Sequence, residues 1–308
     1  MNRFMIALLA AGMLAGRARA QAPEAARDAR PAAAVDDLAR RARAVLDAVL
    51  ATEKSWIKVH AAEVLVADGQ AGRLHRLFLA QLAESDASDY RVGGWRVLAA
   101  TSPTAAERAR WVARIEGVLL DPGAPDHSQA VESLGKLQWK IAGRTLAAVR
   151  ALAATAPAAD TLMPLWALAI AGEPGAPERL VAALDSTDST VRQRAAYALR
   201  WLKPEAPTVR RALARAADRE PAAAPSYAFV LGAAFVTEAD PGRMAAWRSG
   251  LERVLAAGAP GARFEAAQAL KQESKPGDLA RVAPLLDSPE SDVRVAGAAV
   301  ILQVRRRG

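Results

Sequence analysis

From Val35 onward, apolar residues recur at three- and four-residue spacings, and each such run stops at a proline, a glycine or an Asp/Ser cluster. That spacing lines one face of a helix turning 100° per residue. Alternating β-branched runs and Asn-Gly turns do not occur, so no strand is predicted. The pattern predicts an all-α chain.

One helical phrase returns along it. STVRQRAAYALRWL from Ser189 shares its layout with SWIKVHAAEVL from Ser55, GARFEAAQAL from Gly261 and SDVRVAGAAVI from Ser291. With Leu199 as anchor, equivalent positions fall at Leu65, Leu98, Leu134, Ile170, Leu231, Leu270 and Ile301, a period of about 34. The copies ending at Leu134, Ile170 and Leu231 are degenerate and rest on spacing alone. In the full copy Val191, Ala195, Ala198, Leu199 and Leu202 share one stripe, while Gln193, Tyr197 and Arg200 point the other way. Small residues at 195 and 196 let a neighbouring helix approach closely. A single helix pair cannot bury such a stripe, so the copies must stack. The expected architecture is an α-α superhelix of about eight helix pairs over residues 35–308.

Neither the TPLHxA of ankyrin repeats nor the Trp, Gly and Tyr pattern of tetratricopeptide repeats is found. The phrase V/I-R/K-x-x-A-A-x-x-L instead resembles HEAT-like repeats of the short variety known from phycobilisome lyases, over about residues 35–305. The resemblance implies a protein-binding scaffold in which the second helix of each pair lines a concave face. The blocks KVHAAEVL from Lys58, YRVGGWRVLAA from Tyr90 and AVESLGKL from Ala130 resemble segments of bacterial HEAT-like proteins associated with sodium:solute symporters. That resemblance adds a membrane transporter to the implied partners.

On such a face the column at position 197 reads Glu63, Arg96, Glu132, Leu168, Tyr197, Phe229, Gln268, Ala299. Two readings of its charged part stand open. Glu63, Arg96 and Glu132 form either a ladder of ion pairs between neighbouring helices or a polar site for a ligand, with Trp95, Lys136 and Trp139 close by. Leu168, Tyr197 and Phe229 are three apolar residues on a solvent face, which is costly; they are expected to be covered by a partner, with cover by a curled-over terminus of the chain or a shifted repeat register as the alternatives. His60 and Glu63 have the i, i+3 spacing of two metal ligands, which is weak as a lone pair. Phosphate loops, GxSxG and HExxH are missing, as are the His-Glu dipeptides by which deoxyhypusine hydroxylases hold iron. No metal, cofactor or enzymatic activity is expected.

The composition completes the picture. A chain of 308 residues, 52% hydrophobic, can bury a large core, and without cysteine it has neither disulfides nor thiolate chemistry. MNR, the apolar FMIALLAAGML and Ala18-Arg19-Ala20 read as a signal peptide over residues 1–20, cut after Ala20, followed by a flexible Ala/Pro linker over 21–34. Removing Arg3, Arg17 and Arg19 lowers the formal charge from +8 to about +5. Arg40, Arg41 and Arg43, and Arg305, Arg306 and Arg307, read as solvated basic ends, since no aromatic interleaving marks them for nucleic acid. The expectation is a periplasmic or secreted scaffold, without a transmembrane segment once mature, that binds an envelope protein or peptide on its concave face. The alternative is a small-molecule or metal-binding protein, or an enzyme, using the charged pocket of the amino-terminal repeats.

Overall fold

The computed structural model describes residues 24–202 and 206–307. Two compact units divide the chain, Met1–Ala34 and Val35–Gly308, and apart from the amino-terminal part of the first helix the features below belong to the second. The expected leader over residues 1–20 lies outside the described residues. Part of the expected linker is helical, because the first helix already begins at Glu24; its alanines favour that conformation.

All the regular structure among the described residues is helical. In chain order the pairs are α1 (Glu24–Thr52) and α2 (Trp56–Ala67), then α3 (Ala71–Ala80) with the short α4 (Leu82–Asp86) and α5 (Arg91–Thr101). Next come α6 (Ala105–Leu120) and α7 (His127–Lys136), α8 (Gly143–Thr155) and α9 (Leu162–Ala171), and α10 (Ala176–Ala182) and α11 (Ser189–Leu202). The series ends with α12 (Pro207–Arg219) and α13 (Tyr227–Phe235), α14 (Pro241–Ala257) and α15 (Pro260–Leu270), and α16 (Leu279–Val282) and α17 (Ser291–Arg307). Ser55, Thr104 and Asp240 cap α2, α6 and α14 by accepting from the backbone N–H groups of Ile57, Glu107 and Arg243. Prolines at the first turns of α12, α14 and α15 fit where no N–H is needed.

The second members of the pairs pack in succession, α2 on α5, α5 on α7, and so on to α15 on α17. The last of them, α17, then packs on the first, α2. The stack therefore closes on itself, and the face expected to be an open concavity becomes a lumen. Ion pairs Arg41–Asp287 and Arg305–Asp36, and a bond from the Ser291 hydroxyl to Glu53 at 2.5 Å, reinforce the seam.

The structure explains the repeated phrase position by position. Its small residues, Ala61, Ala62, Ala195, Ala196, Ala266, Ala267 and Ala298, are fully buried, as are the anchors Leu65, Leu98, Leu134, Leu199 and Ile301. Space decides the glycines too: a Cβ at Gly135 would come within 2.8 Å of the Trp166 ring, and one at Gly93 within 2.7 Å of Trp56 and Val59. The basic residue at the second position ties the phrase to its surroundings. Arg91 grips both oxygens of Asp126 at 2.8 and 2.9 Å, and Arg192 grips both oxygens of Glu220 at 2.9 Å. Arg192 and Arg294 also donate to loop carbonyls just before their own helices, at Ser186 and Thr187 and at Ser288 and Pro289. Arginine suits this position because its fork satisfies several acceptors at once.

Candidate functional site

A cavity of about 690 Å³ fills the lumen, and each of the eight second helices contributes to its wall. Of the predicted column, Glu63, Arg96, Glu132, Tyr197, Phe229, Gln268 and Ala299 line it. Leu168 does not: it is 3% exposed within the core, and α9 reaches the lumen through Met163 instead. The repeat register slips in this helix, whose supposed anchor Ile170 is only half-buried. Trp166, two residues before Leu168, is the side chain that meets Tyr197, edge-on at 5.8 Å between centroids. Trp95 is also away from the lumen. Its indole N–H donates to Asp86 at 2.6 Å, under the guanidinium of Arg114, on the side of α4 and α6.

The charged part of the wall is a set of pairs rather than one continuous ladder. Arg96, 2% exposed, meets Glu63 across neighbouring helices at 2.7 Å and donates to the Ser133 hydroxyl at 3.1 Å. Glu132 turns to Lys136 on its own helix at 3.0 Å and accepts from the Tyr197 hydroxyl at 2.9 Å. Arg200 and Glu265, both buried, meet at 2.6 Å. His60 lies 3.6 Å from Asp292 and stacks on Phe264. Among the described residues no group of three His, Asp or Glu clusters to hold a metal.

Burial and charge shape the ionisation of these groups. Burial pushes the Glu63 carboxyl up, but the charges of Arg96, Lys136 and His60 outweigh it and hold the group at about 2. Glu132 is likewise held below the usual carboxylate range, burial being overcome first by Lys136 and then by Arg96. Tyr197 is raised well above its ordinary value by burial and by the negative charge of Glu132 and Glu265.

No protein-family model matches the chain, and no curated protein matches its sequence. The functional reading therefore rests on the lumen itself.

Aromatic rings, Tyr197, Trp201, Phe229 and Phe264, form part of the remaining wall. Tyr197 contacts Trp166, Trp201 and Phe229 with ring centroids 5.8 to 6.5 Å apart, and the Lys136 ammonium sits over Tyr197 and Trp201 at 5.9 and 5.6 Å. Sequence reasoning missed Arg200, Glu265, Phe264, Trp201 and Lys271 as lumen residues. Arg200 already stood among the residues pointing away from the core stripe. Extending that reading one turn to either side of the column, to positions 193 and 200–201, finds most of the wall.

Among the described residues no helix is long and apolar enough to cross a membrane.

Proposed function

We propose that the closed stack is a small-molecule-binding protein whose ligand occupies the lumen. The observation that carries this reading is the closure of α17 on α2, which encloses a cavity of about 690 Å³ with a mixed charged and aromatic wall. Ligand pockets run from about 300 to 1,000 Å³ and combine an apolar wall with a few placed polar groups. The reading is favoured over a protein partner on an open face for two reasons. The face is turned inward, and its expected apolar patch is divided: Leu168 belongs to the core, and Tyr197 and Phe229 pack on each other. Glu63, a carboxylate held at about 2, is a poor proton acceptor near neutrality and fits a binding contact better than a general base. Taken with the leader expected over residues 1–20, the role is that of an exported binding protein.

A thermal-shift screen of small molecules on the whole chain tests this, beside Ala299→Trp and Gln268→Trp, which fill the lumen from two helices. Ligands that raise the melting temperature by a few degrees in the native protein and fail in both variants, with helical circular dichroism preserved, support it. Ligands retained by both filled variants, or capture of an envelope protein that depends on Tyr197 and Phe229, overturn it.

A further inference from the structure

The lumen holds four carboxylates, and each has a basic group of its own: Arg96 for Glu63, Lys136 for Glu132, Arg200 for Glu265 and His60 for Asp292. Arg194, on α11, pairs with Asp160, just ahead of α9. Two cations of the wall, Lys271 and Arg306, have no carboxylate within ion-pair distance among the described residues, and both lie at the carboxy-terminal ends of the adjacent helices α15 and α17. Arg306 donates to the Ala67 carbonyl and to the Gln303 side chain. Lys271 has the neutral side chain of Gln268 as its hydrogen-bond acceptor.

A cation at the end of a helix is often there for the helix dipole alone. Lys271 differs from such a residue in its setting. It faces the lumen half-buried, with the like charges of Arg200 and Arg306 acting on it, while the carboxylates that act on it, Glu63 and Glu265, are committed to arginines. Removing an ammonium from water without a counter-ion is unfavourable. The aromatic side of the same cavity, Tyr197, Trp201 and Phe229, offers flat apolar surface, and the buried indole N–H of Trp201 has no acceptor among the described residues.

We infer that the lumen selects an organic anion, a carboxylate or sulfonate carried on an aromatic body, with Lys271 as its counter-ion and Tyr197, Trp201 and Phe229 as the wall for the ring. This rests on the lumen being the ligand site. The ionisation of Lys271 gives the inference a pH signature. Burial, then Arg200 and Arg306, lower it to about 8 against the opposing pull of Glu63 and Glu265. Its cation is present at neutral pH and is lost as pH rises through that value.

Two fluorescent probes that differ only in the anionic group test it on the whole chain: 1-anilinonaphthalene-8-sulfonate and the uncharged N-phenyl-1-naphthylamine. The sulfonate stays ionised throughout, so any pH dependence comes from the protein. The expected result is sulfonate binding at pH 7 that weakens about tenfold in Lys271→Met and Lys271→Gln and is retained in Lys271→Arg, the size of one lost charge contact. The native affinity for the sulfonate should fall between pH 7 and 9.5, and that for the uncharged probe should not. Equal affinity for both probes, unaffected by Lys271→Met, overturns the inference and leaves the lumen reading standing. Exclusion of both probes, or sulfonate binding that persists in Ala299→Trp and Gln268→Trp, overturns the two together.

Discussion

The imidazole of His60 on α2 stacks on the ring of Phe264 on α15, centroids 4.7 Å apart and planes inclined by 24°. The first and seventh of the second helices thus touch across the lumen edge beside α17, at the seam where the stack closes. Stacked pairs contribute about 0.5–1.5 kcal/mol beyond their buried area. A double-mutant cycle with His60→Ala and Phe264→Ala, followed by urea unfolding at pH 7, is expected to show a coupling in that range. Strictly additive losses would mean that the stack adds nothing to closure.

Arg96 and Glu63 form the pair whose loss is expected to be felt most within the lumen. Arg96 is buried, with Glu63 on one side, the Ser133 hydroxyl on another and the Trp56 ring at 5.3 Å. Arg96→Met leaves the Glu63 carboxylate without its partner. Breaking a buried pair costs about 3–5 kcal/mol, and the partial exposure of Glu63 brings the expectation down to about 2–3. The pH dependence follows from the direction of the shift. Glu63 is held at about 2, below its ordinary 4.5, so its contribution is complete above pH 4.5 and is lost as pH falls towards 2. Urea unfolding of native and Arg96→Met proteins should therefore differ strongly at pH 7 and converge in acid; a constant difference would remove the carboxylate from the explanation.

Much of this was legible in the sequence, and the exceptions have physical causes. The period of the phrase locates the second helices, because the small and anchoring positions are selected by close packing and so keep their spacing. Even the degenerate copies at Leu134 and Leu231 place Glu132 and Phe229 on the lumen. The copy at Ile170 fails because α9, LMPLWALAIA, is apolar all round and offers no polar face to set its register. Trp95 misleads because its neighbour Arg96 faces the lumen, and on a helix adjacent residues point in different directions. Closure is hidden for another reason: it depends on the small rotation between successive pairs summed over eight of them, which no local pattern encodes.

Gly135 supplies a test of packing in the core behind the lumen wall. The Trp166 ring, itself fully buried, occupies the space a side chain would need at that position. Gly135→Ala forces the ring to move, and overpacking of this kind costs about 1–3 kcal/mol despite the better helix propensity of alanine. Trp166→Phe by itself also destabilises, by opening a cavity. The double variant is expected to be more stable than the sum of the two losses predicts, because the smaller ring admits the methyl group. Thermal unfolding of the four proteins measures this; simple additivity would show that the two positions do not compete for space.

Arg192 of the repeated phrase, whose partner carboxylate is buried, is expected not to be replaceable by lysine. Arg192 holds both oxygens of Glu220, whose side chain is 3% exposed, and donates to the carbonyls of Ser186 and Thr187. Lysine keeps the charge but has no planar fork, so Arg192→Lys loses most of these bonds and is expected to cost about 1–3 kcal/mol. Arg192→Met strands the Glu220 carboxylate and is expected to cost about 3–5 kcal/mol. Arg219, which meets Asp185 with both side chains more than 60% exposed, makes the matching control, and Arg219→Met should change the unfolding free energy hardly at all. Both methionine variants remove one positive charge, so a difference between them separates the local contact from net charge. Equal losses in urea at pH 7 would mean that the phrase keeps its basic residue for solubility, not to join one repeat to the next.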